Sequence, residues 1–271
     1  NLVDTEVMCG RLATEGFILT DDAETADVML INTCSFIADA RREAEQEIEA
    51  AIEWKKNRKD RAVVVAGCLP QRDPAEVRHR FPQADLLIGL DDVPRIPQLI
   101  RAMNRDSADG HAIQSGAPPT YLYDENTPRL QLTPPNYAYL KIAEGCDHKC
   151  SFCSIPDIRG PQRSRSVGSV LREADMLLGC GVRELNLIAQ DTTRYGRDRK
   201  DGTSLAVLLE KMDAMDGDFW VRLLYTHPRY FSPELIEVLA NSKHVVPYID
   251  IPLQHISERI LHTMGRRFGE Q

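Results

Sequence analysis

Apolar and polar positions alternate with two different periods along the first hundred residues. Residues 4–16 read as an amphipathic helix with Asp4 as its cap and Gly16 as its stop, and residues 28–31, Val-Met-Leu-Ile, as a buried strand. Residues 38–56, rich in Glu, Ala and Arg, predict a long helix whose solvent face is supported by i,i+4 charge pairs. Residues 61–67, Arg-Ala-Val-Val-Val-Ala-Gly, predict a second strand, 74–81 a short helix and 85–89 a third strand. Strands separated by helices in this order predict a parallel α/β layer, and residues 1–103 are read as one small domain.

Residues 104–136 change character, with Asp, Ser, Gly, Pro, Thr and Asn dominant, and predict a linker with room for a short ordered hairpin. Beyond it, strands are expected at 137–144, 184–189, 219–225 and 248–253, with helices at 169–178, 205–215 and 233–240 between them. Four strands alternating with helices predict a partial TIM barrel over residues 137–271, so the fold class is α/β throughout.

The totals narrow the function. With 42% hydrophobic residues in 271, the chain can bury the cores of two domains. It has no apolar run of about 18 residues and no basic-then-apolar leader, so a soluble cytoplasmic protein without membrane contact is expected. Seven cysteines in such a chain point to metal or redox chemistry, because a reducing compartment keeps thiols free and pairing would leave one over. A formal charge of −8 argues against a broad nucleic-acid footprint and suits a basic protein partner. Both ends read as cut: Asn1 opens directly on what reads as the last turn before a helix, and Gly265-Arg266-Arg267-Phe268-Gly269 runs to Gln271 with nothing to close the last element.

The strongest motif is Gly145-Cys146-Asp147-His148-Lys149-Cys150-Ser151-Phe152-Cys153, a CxxxCxxC just beyond the first strand of the second domain. Three thiolates on one loop suit a soft metal, and iron–sulfur clusters use such ligands. Three ligands on a four-iron cluster leave one iron open, where the amino and carboxylate groups of S-adenosylmethionine (SAM) can chelate. A zinc site of Cys₃His type with His148 stays open as a second reading, as does a group of buried thiols.

A second pair is Cys34, in Asn32-Thr33-Cys34, and Cys68, in Gly67-Cys68-Leu69. Each ends an apolar strand, and parallel strands bring their carboxyl ends to one edge, where ligands usually sit. Cys9 inside the first helix and Cys180 between two glycines read as structural. Phe152 between two cysteines is placed to pack a nucleoside base, while Gln190 and Asp191 end the second barrel strand, where they suit a polar ligand such as SAM. Arg163 and Arg165 suit a carboxylate, and His227 and His255 follow the third and fourth strands at the barrel mouth.

The loop from Cys146 to Cys153 in the context Tyr-Leu-Lys-Ile-Ala-Glu-Gly-Cys, with Asn32-Thr33-Cys34 and Gly67-Cys68-Leu69, resembles the radical SAM methylthiotransferases over nearly the whole chain. Residues 1–6, 32–37, 155–160, 190–193 and 252–255 resemble the branch that modifies an aspartate of a small-subunit ribosomal protein more than the tRNA-adenosine branch. The resemblance implies two 4Fe-4S clusters, one held by Cys146, Cys150 and Cys153 and an auxiliary one whose ligands here include Cys34 and Cys68. It also implies SAM, for which Phe152, Gln190, Asp191 and Arg165 are the residues read above as placed to bind, and a reductant such as flavodoxin or ferredoxin is expected. The family pattern further implies a third auxiliary cysteine upstream of Asn1, two more barrel strands and a C-terminal TRAM domain, none of them within this sequence.

Overall fold

The structure, a computed structural model, describes residues 2–103 and 118–266. Residue 1, residues 104–117 of the expected linker and the Arg267-Phe268-Gly269 stretch lie outside the described residues. The chain divides into two compact units, one of residues 1–121, 127–130 and 157–159, the other of 122–126, 131–156 and 160–271.

In the first unit α1 (Leu2–Thr14) leads to β1 (Val28–Thr33), α2 (Ala38–Lys56), β2 (Ala62–Gly67), α3 (Cys68–Arg72), α4 (Pro74–Arg80), β3 (Leu86–Ile88) and α5 (Ile96–Ala102). The strands form one parallel sheet in the order β1-β2-β3. Central β2 is buried along its whole length, as its unbroken Ala-Val-Val-Val-Ala run requires when helices cover both faces. β1 lies at the edge and is only half-buried, which corrects the expectation of a buried strand there. α2 presents Ala44, Ile48, Ala51 and Trp54 to Val63, Val65 and Leu87 and keeps its charges outward, with Arg41 and Glu45 paired at i,i+4. Gly16 stops α1 with φ +83°, as expected, but Asp4 lies in the first turn and does not cap it.

Residues 118–136 contain no strand or helix, so the expected hairpin is not found among the described residues. This stretch is fastened by other bonds. Within the first unit the backbone N–H groups of Thr120 and Tyr121 donate to Asp91, and that of Leu130 to the Glu6 carbonyl. Gly10 lets residues 128–129 pass against α1, where any Cβ would collide with their backbone.

The second unit contains β4 (Tyr137–Lys141), β5 (Ala143–Glu144), β6 (Arg163–Ser164), α7 (Val167–Gly179), β7 (Glu184–Ile188), α8 (Leu205–Asp213), β8 (Trp220–Leu223), α9 (Pro233–Asn241) and α10 (Glu258–Thr263); the short α6 (Ile155–Arg159) precedes β6. β4, β7 and β8 make a parallel sheet with helices between successive strands, the partial-barrel pattern. Ser166, Ser204 and Ser232 cap α7, α8 and α9 by accepting the N–H three residues on. Ala138, Leu140, Leu185, Leu187, Val221 and Leu223 form the core against these helices.

Two strand expectations change. The stretch 137–144 breaks at Ile142 into β4 and β5, and β5 turns away to pair antiparallel with β6. The strand expected at 248–253 is absent among the described residues, with a single bridge from Val245 to Val221 in its place. Pro247 and Pro252 lack N–H donors there, and Asp250 instead takes the N–H groups of Tyr225 and Thr226. No helix among the described residues is long and apolar enough to cross a membrane.

Candidate functional site

In the second unit the three-cysteine loop begins where β5 ends. Gly145 makes the turn at φ +82°, and a Cβ there would run into the carbonyl oxygens of Gly160 and Pro161. The N–H of Cys146 then donates to the Gly160 carbonyl at 3.0 Å. Further along, the Ser151 N–H donates to Met264 O at 3.0 Å, the Ser151 hydroxyl to Thr263 O at 3.2 Å, and the Cys153 N–H to Cys150 O at 3.1 Å. The loop is thus seated on the 160–161 turn at one end and on the end of α10 at the other.

Cys146 is buried, and Cys150 and Cys153 are half-buried. Burial above all, with smaller contributions from the charges of Asp191, Cys153 and Cys150, pushes the Cys146 thiol up to about 11. A thiol so disposed to keep its proton becomes a good ligand only opposite a strong positive charge, which is what iron supplies. The donor set of three thiols therefore fits an iron–sulfur cluster with one open iron.

The other predicted residues fall around this loop unequally. Phe152 is half-exposed. The Gln190 amide donates to Glu144 at 2.9 Å, and its buried oxygen has no partner among the described residues. Both oxygens of buried Asp191 are occupied, by His148 at 2.6 Å and by the Thr193 hydroxyl at 2.5 Å. Arg165, expected to hold a carboxylate of SAM, is buried with its guanidinium bound to Glu173, Ser169 and the Lys141 carbonyl and laid over the Tyr123 ring. Its donors are spent on these partners, so it braces α7. Arg163 donates to the Pro161 carbonyl at 2.8 Å. His255 is exposed, whereas His227 is buried and stacks on His148 with ring centroids 4.3 Å apart.

Cys34 and Cys68 lie one residue beyond the last paired positions of β1 and β2, Thr33 and Gly67, so they share the carboxyl edge of the sheet. Gly67 takes φ +96°, and a Cβ there would strike Asn32 and Thr33, so the position requires glycine. The Thr33 hydroxyl donates to the Ala66 carbonyl and accepts from the Leu69 N–H, and the Ser35 hydroxyl donates to the Cys68 carbonyl. Cys68 is nearly fully buried, and burial raises its pKa above the ordinary value while Arg159 opposes the shift. The buried Arg159 guanidinium donates to the Cys68 sulfur at 3.2 Å and to Asp4 at 2.8 Å. Two thiols with a guanidinium fit an anionic metal–sulfide group, although two protein ligands do not complete one by themselves. Cys9 is half-buried in α1, and Cys180 is exposed at the end of α7.

Arg159, Asp4 and the His148–Asp191–His227 arrangement were not anticipated as parts of a site. No local signal marks Arg159, which stands in an ordinary short helix.

Comparison with known proteins agrees with this geometry. Residues 1–89 match the family described as Uncharacterized protein family UPF0004, and residues 140–270 the radical SAM superfamily. The chain is 46% identical over 270 residues to the ribosomal protein uS12 methylthiotransferase RimO of Syntrophotalea carbinolica, covering all of this chain and 59% of that one. It is likewise 46% identical over 271 residues to the RimO of Pelotomaculum thermopropionicum, again over all of this chain and 60% of that one. The chain thus spans about 60% of the length of these relatives. Among solved structures, the radical SAM methyltransferase TsrM of Kitasatospora setae superposes with a TM-score of 0.64 at 16% identity, over 96% of this chain and 57% of that one. The cobalamin-dependent radical SAM enzyme OxsB gives 0.60 at 15%, over 97% and 43%, and both likenesses speak to fold alone. Superfamily membership implies SAM and one 4Fe-4S cluster. With both segments matched and relatives 46% identical to it from end to end, the chain is similar throughout to the radical SAM methylthiotransferases.

Proposed function

We propose that the protein adds a methylthio group to the β-carbon of an aspartate in ribosomal protein uS12, a basic small-subunit protein. The observation that carries this reading is the seating of Cys146, Cys150 and Cys153 on one anchored loop at the carboxyl end of β5, in a chain about 46% identical to proteins named for that activity. The net charge of −8 supports a basic protein partner over tRNA. On this reading residues 1–103 form the methylthiotransferase domain, 104–136 a linker and 137–271 the radical SAM domain, acting in the cytoplasm with a reductant such as flavodoxin or ferredoxin.

Cys146, Cys150 and Cys153 would hold the cluster at which SAM binds, and Cys34 and Cys68 would supply two ligands to an auxiliary cluster. When bound, such a cluster supplies the electron that splits SAM reductively, and with it the radical chemistry that opens an unactivated C–H bond. The chain's own residues bind and orient. The unpartnered Gln190 oxygen can accept from a hydroxyl or ammonium group of SAM, and Phe152 offers a ring for the adenine. Buried Asp191 holds the loop through His148, and Arg159 holds the Cys68 sulfur.

The test is anaerobic reconstitution with iron and sulfide, EPR of the reduced protein with and without SAM, and mass analysis of uS12 after turnover. About four irons at the loop, as one cubane requires, a SAM-perturbed spectrum and a methylthio increment on one uS12 aspartate are expected. Zinc in place of iron would overturn the radical reading. An increment on tRNA adenosine and not on uS12 would move the protein to the other branch of the family.

A further inference from the structure

His148 stands between two of the three loop cysteines, and its ring is held on three sides. Its ring Nε2 lies 2.6 Å from Asp191 Oδ2, and its ring face stacks on His227 at 4.3 Å with 15° between the planes. Tyr230 closes the third side, with ring centroids 5.6 Å from His148 and 5.7 Å from His227.

The partners are themselves fixed. Asp191 follows β7 and is buried, and its second oxygen accepts from the Thr193 hydroxyl, whose oxygen in turn accepts the His227 N–H at 3.1 Å. His227 follows β8, and its Nδ1 accepts from the Arg229 N–H at 3.3 Å. Asp147, the preceding loop residue, is fastened in parallel: its carboxylate meets Arg194 at 2.7 Å and accepts the Gln162 N–H at 3.0 Å. Two successive loop residues are therefore tied to the segments that leave β7 and β8.

The ligand atoms of His148, Asp191 and His227 lie within 4.8 Å of one another, close enough to bracket a metal ion. The hydrogen bonding argues otherwise. His227 Nδ1 is already an acceptor, so in the neutral ring Nε2 carries the proton and has no lone pair for a metal. Burial and the neighbouring His148, Arg266 and Arg229 lower the His227 pKa to about 4, which keeps that ring neutral. The direct bond from His148 to Asp191 also occupies the carboxylate oxygen that a metal would need.

We propose that His148 is a positioning residue for the three-cysteine loop: its hydrogen bond to Asp191 and its stack on His227 latch the Cys146 to Cys150 segment in the shape that receives the cluster. This rests on the cluster assignment above for its consequence, but the latch itself belongs to the chain with or without iron. A loop already held in its binding shape loses less freedom when the group arrives and releases it more slowly.

The test uses the full chain with Cys34 and Cys68 replaced by alanine, so that iron reports on the loop alone. Hydrogen exchange of the 146–153 amides is measured first without metal, and iron release to a chelator afterwards, in H148A, D191N, H148Q and H227F. Expected are faster exchange across 146–153 and iron release roughly tenfold to a hundredfold faster in H148A and D191N, the range seen when an outer partner of a metal ligand is lost. The amide of H148Q can still donate to Asp191 and restores part of the loss relative to H148A. H227F keeps a ring to stack upon and stays near the parent. Unchanged exchange and release in both H148A and D191N would overturn the latch. Uptake of one zinc per chain by a protein lacking all three loop cysteines, abolished by D191N, would overturn it in favour of a mononuclear metal site. A parent that binds no iron while H148A and D191N still loosen the loop would sink the cluster assignment and leave the latch standing.

Discussion

The guanidinium of Arg159 donates to the sulfur of Cys68 at 3.2 Å, and the same nitrogen donates to Asp4 at 2.8 Å. The two contacts place a buried positive charge on a thiol proposed to bind the auxiliary cluster, with a carboxylate behind it to balance the charge. Hydrogen bonds to cluster sulfurs raise reduction potentials, because the reduced and more negative form gains most from the donor.

R159A should therefore lower the potential of the auxiliary cluster by on the order of 60 mV, the one-electron equivalent of about 1.4 kcal/mol for a charge-assisted hydrogen bond. R159K keeps the charge but loses the planar fork and should fall between the two. Potentiometric EPR titration in a chain lacking Cys146, Cys150 and Cys153 measures it. An unchanged potential in R159A would show that the contact does not survive cluster binding.

Glu6 and Arg129 form a buried ion pair in the first unit, with Nη2 to Oε2 at 2.6 Å and side chains 0% and 8% exposed. Removing one partner strands the other charge, so E6A should cost about 3–5 kcal/mol of unfolding free energy. Replacing both by methionine should cost clearly less than E6A, because no buried charge is left over. Urea denaturation of the single and double variants gives both numbers.

Gly145 adopts φ +82° beneath the carbonyls of Gly160 and Pro161. G145A adds both backbone strain and a steric clash, and should cost at least about 2 kcal/mol. Its specific signature is failure of the loop to take up iron, whereas G202A, at an open turn with φ +78°, should bind iron as the parent does. Iron content per chain after reconstitution separates the two.

In the metal-free protein, burial raises the Cys146 thiol to about 11, while in the unfolded chain it titrates near the ordinary value of about 8.5. Between those values the unfolded chain has lost a proton that the folded chain keeps. The stability contribution is therefore whole below about pH 8.5 and is lost as pH rises towards 11. Melting temperature should fall over this window, and C146S should flatten the slope; an equal slope in C146S would remove the assignment to this thiol.

Much of the architecture was legible because it is written in short-range periodicity. The run Ala62–Gly67 can only be a strand covered on both faces, and Ala38–Lys56 carries a stripe of Ala, Ile and Trp at helical spacing. The strand expected at 248–253 failed for a reason invisible in its own apolar pattern. A strand needs a neighbour with free ladder groups, and here the Asp250 carboxylate takes the Tyr225 N–H while flanking prolines offer none. Arg165 shows the same limit: an arginine after a cysteine loop suits a carboxylate, and the carboxylate it meets in the fold is Glu173, two turns into α7.

By itself the sequence determined the spacing of Cys146, Cys150 and Cys153, the strand ends that carry Cys34 and Cys68, and the alternation of strand and helix. These are properties of neighbouring residues, fixed by chain geometry over a few ångströms. Only the tertiary structure decided that His148 meets Asp191, 43 residues on, and that Arg159 meets Cys68, 91 residues back. Such pairs depend on the register of parallel strands and on the path of every segment between them, and the charge of a side chain does not say which of many partners it will reach.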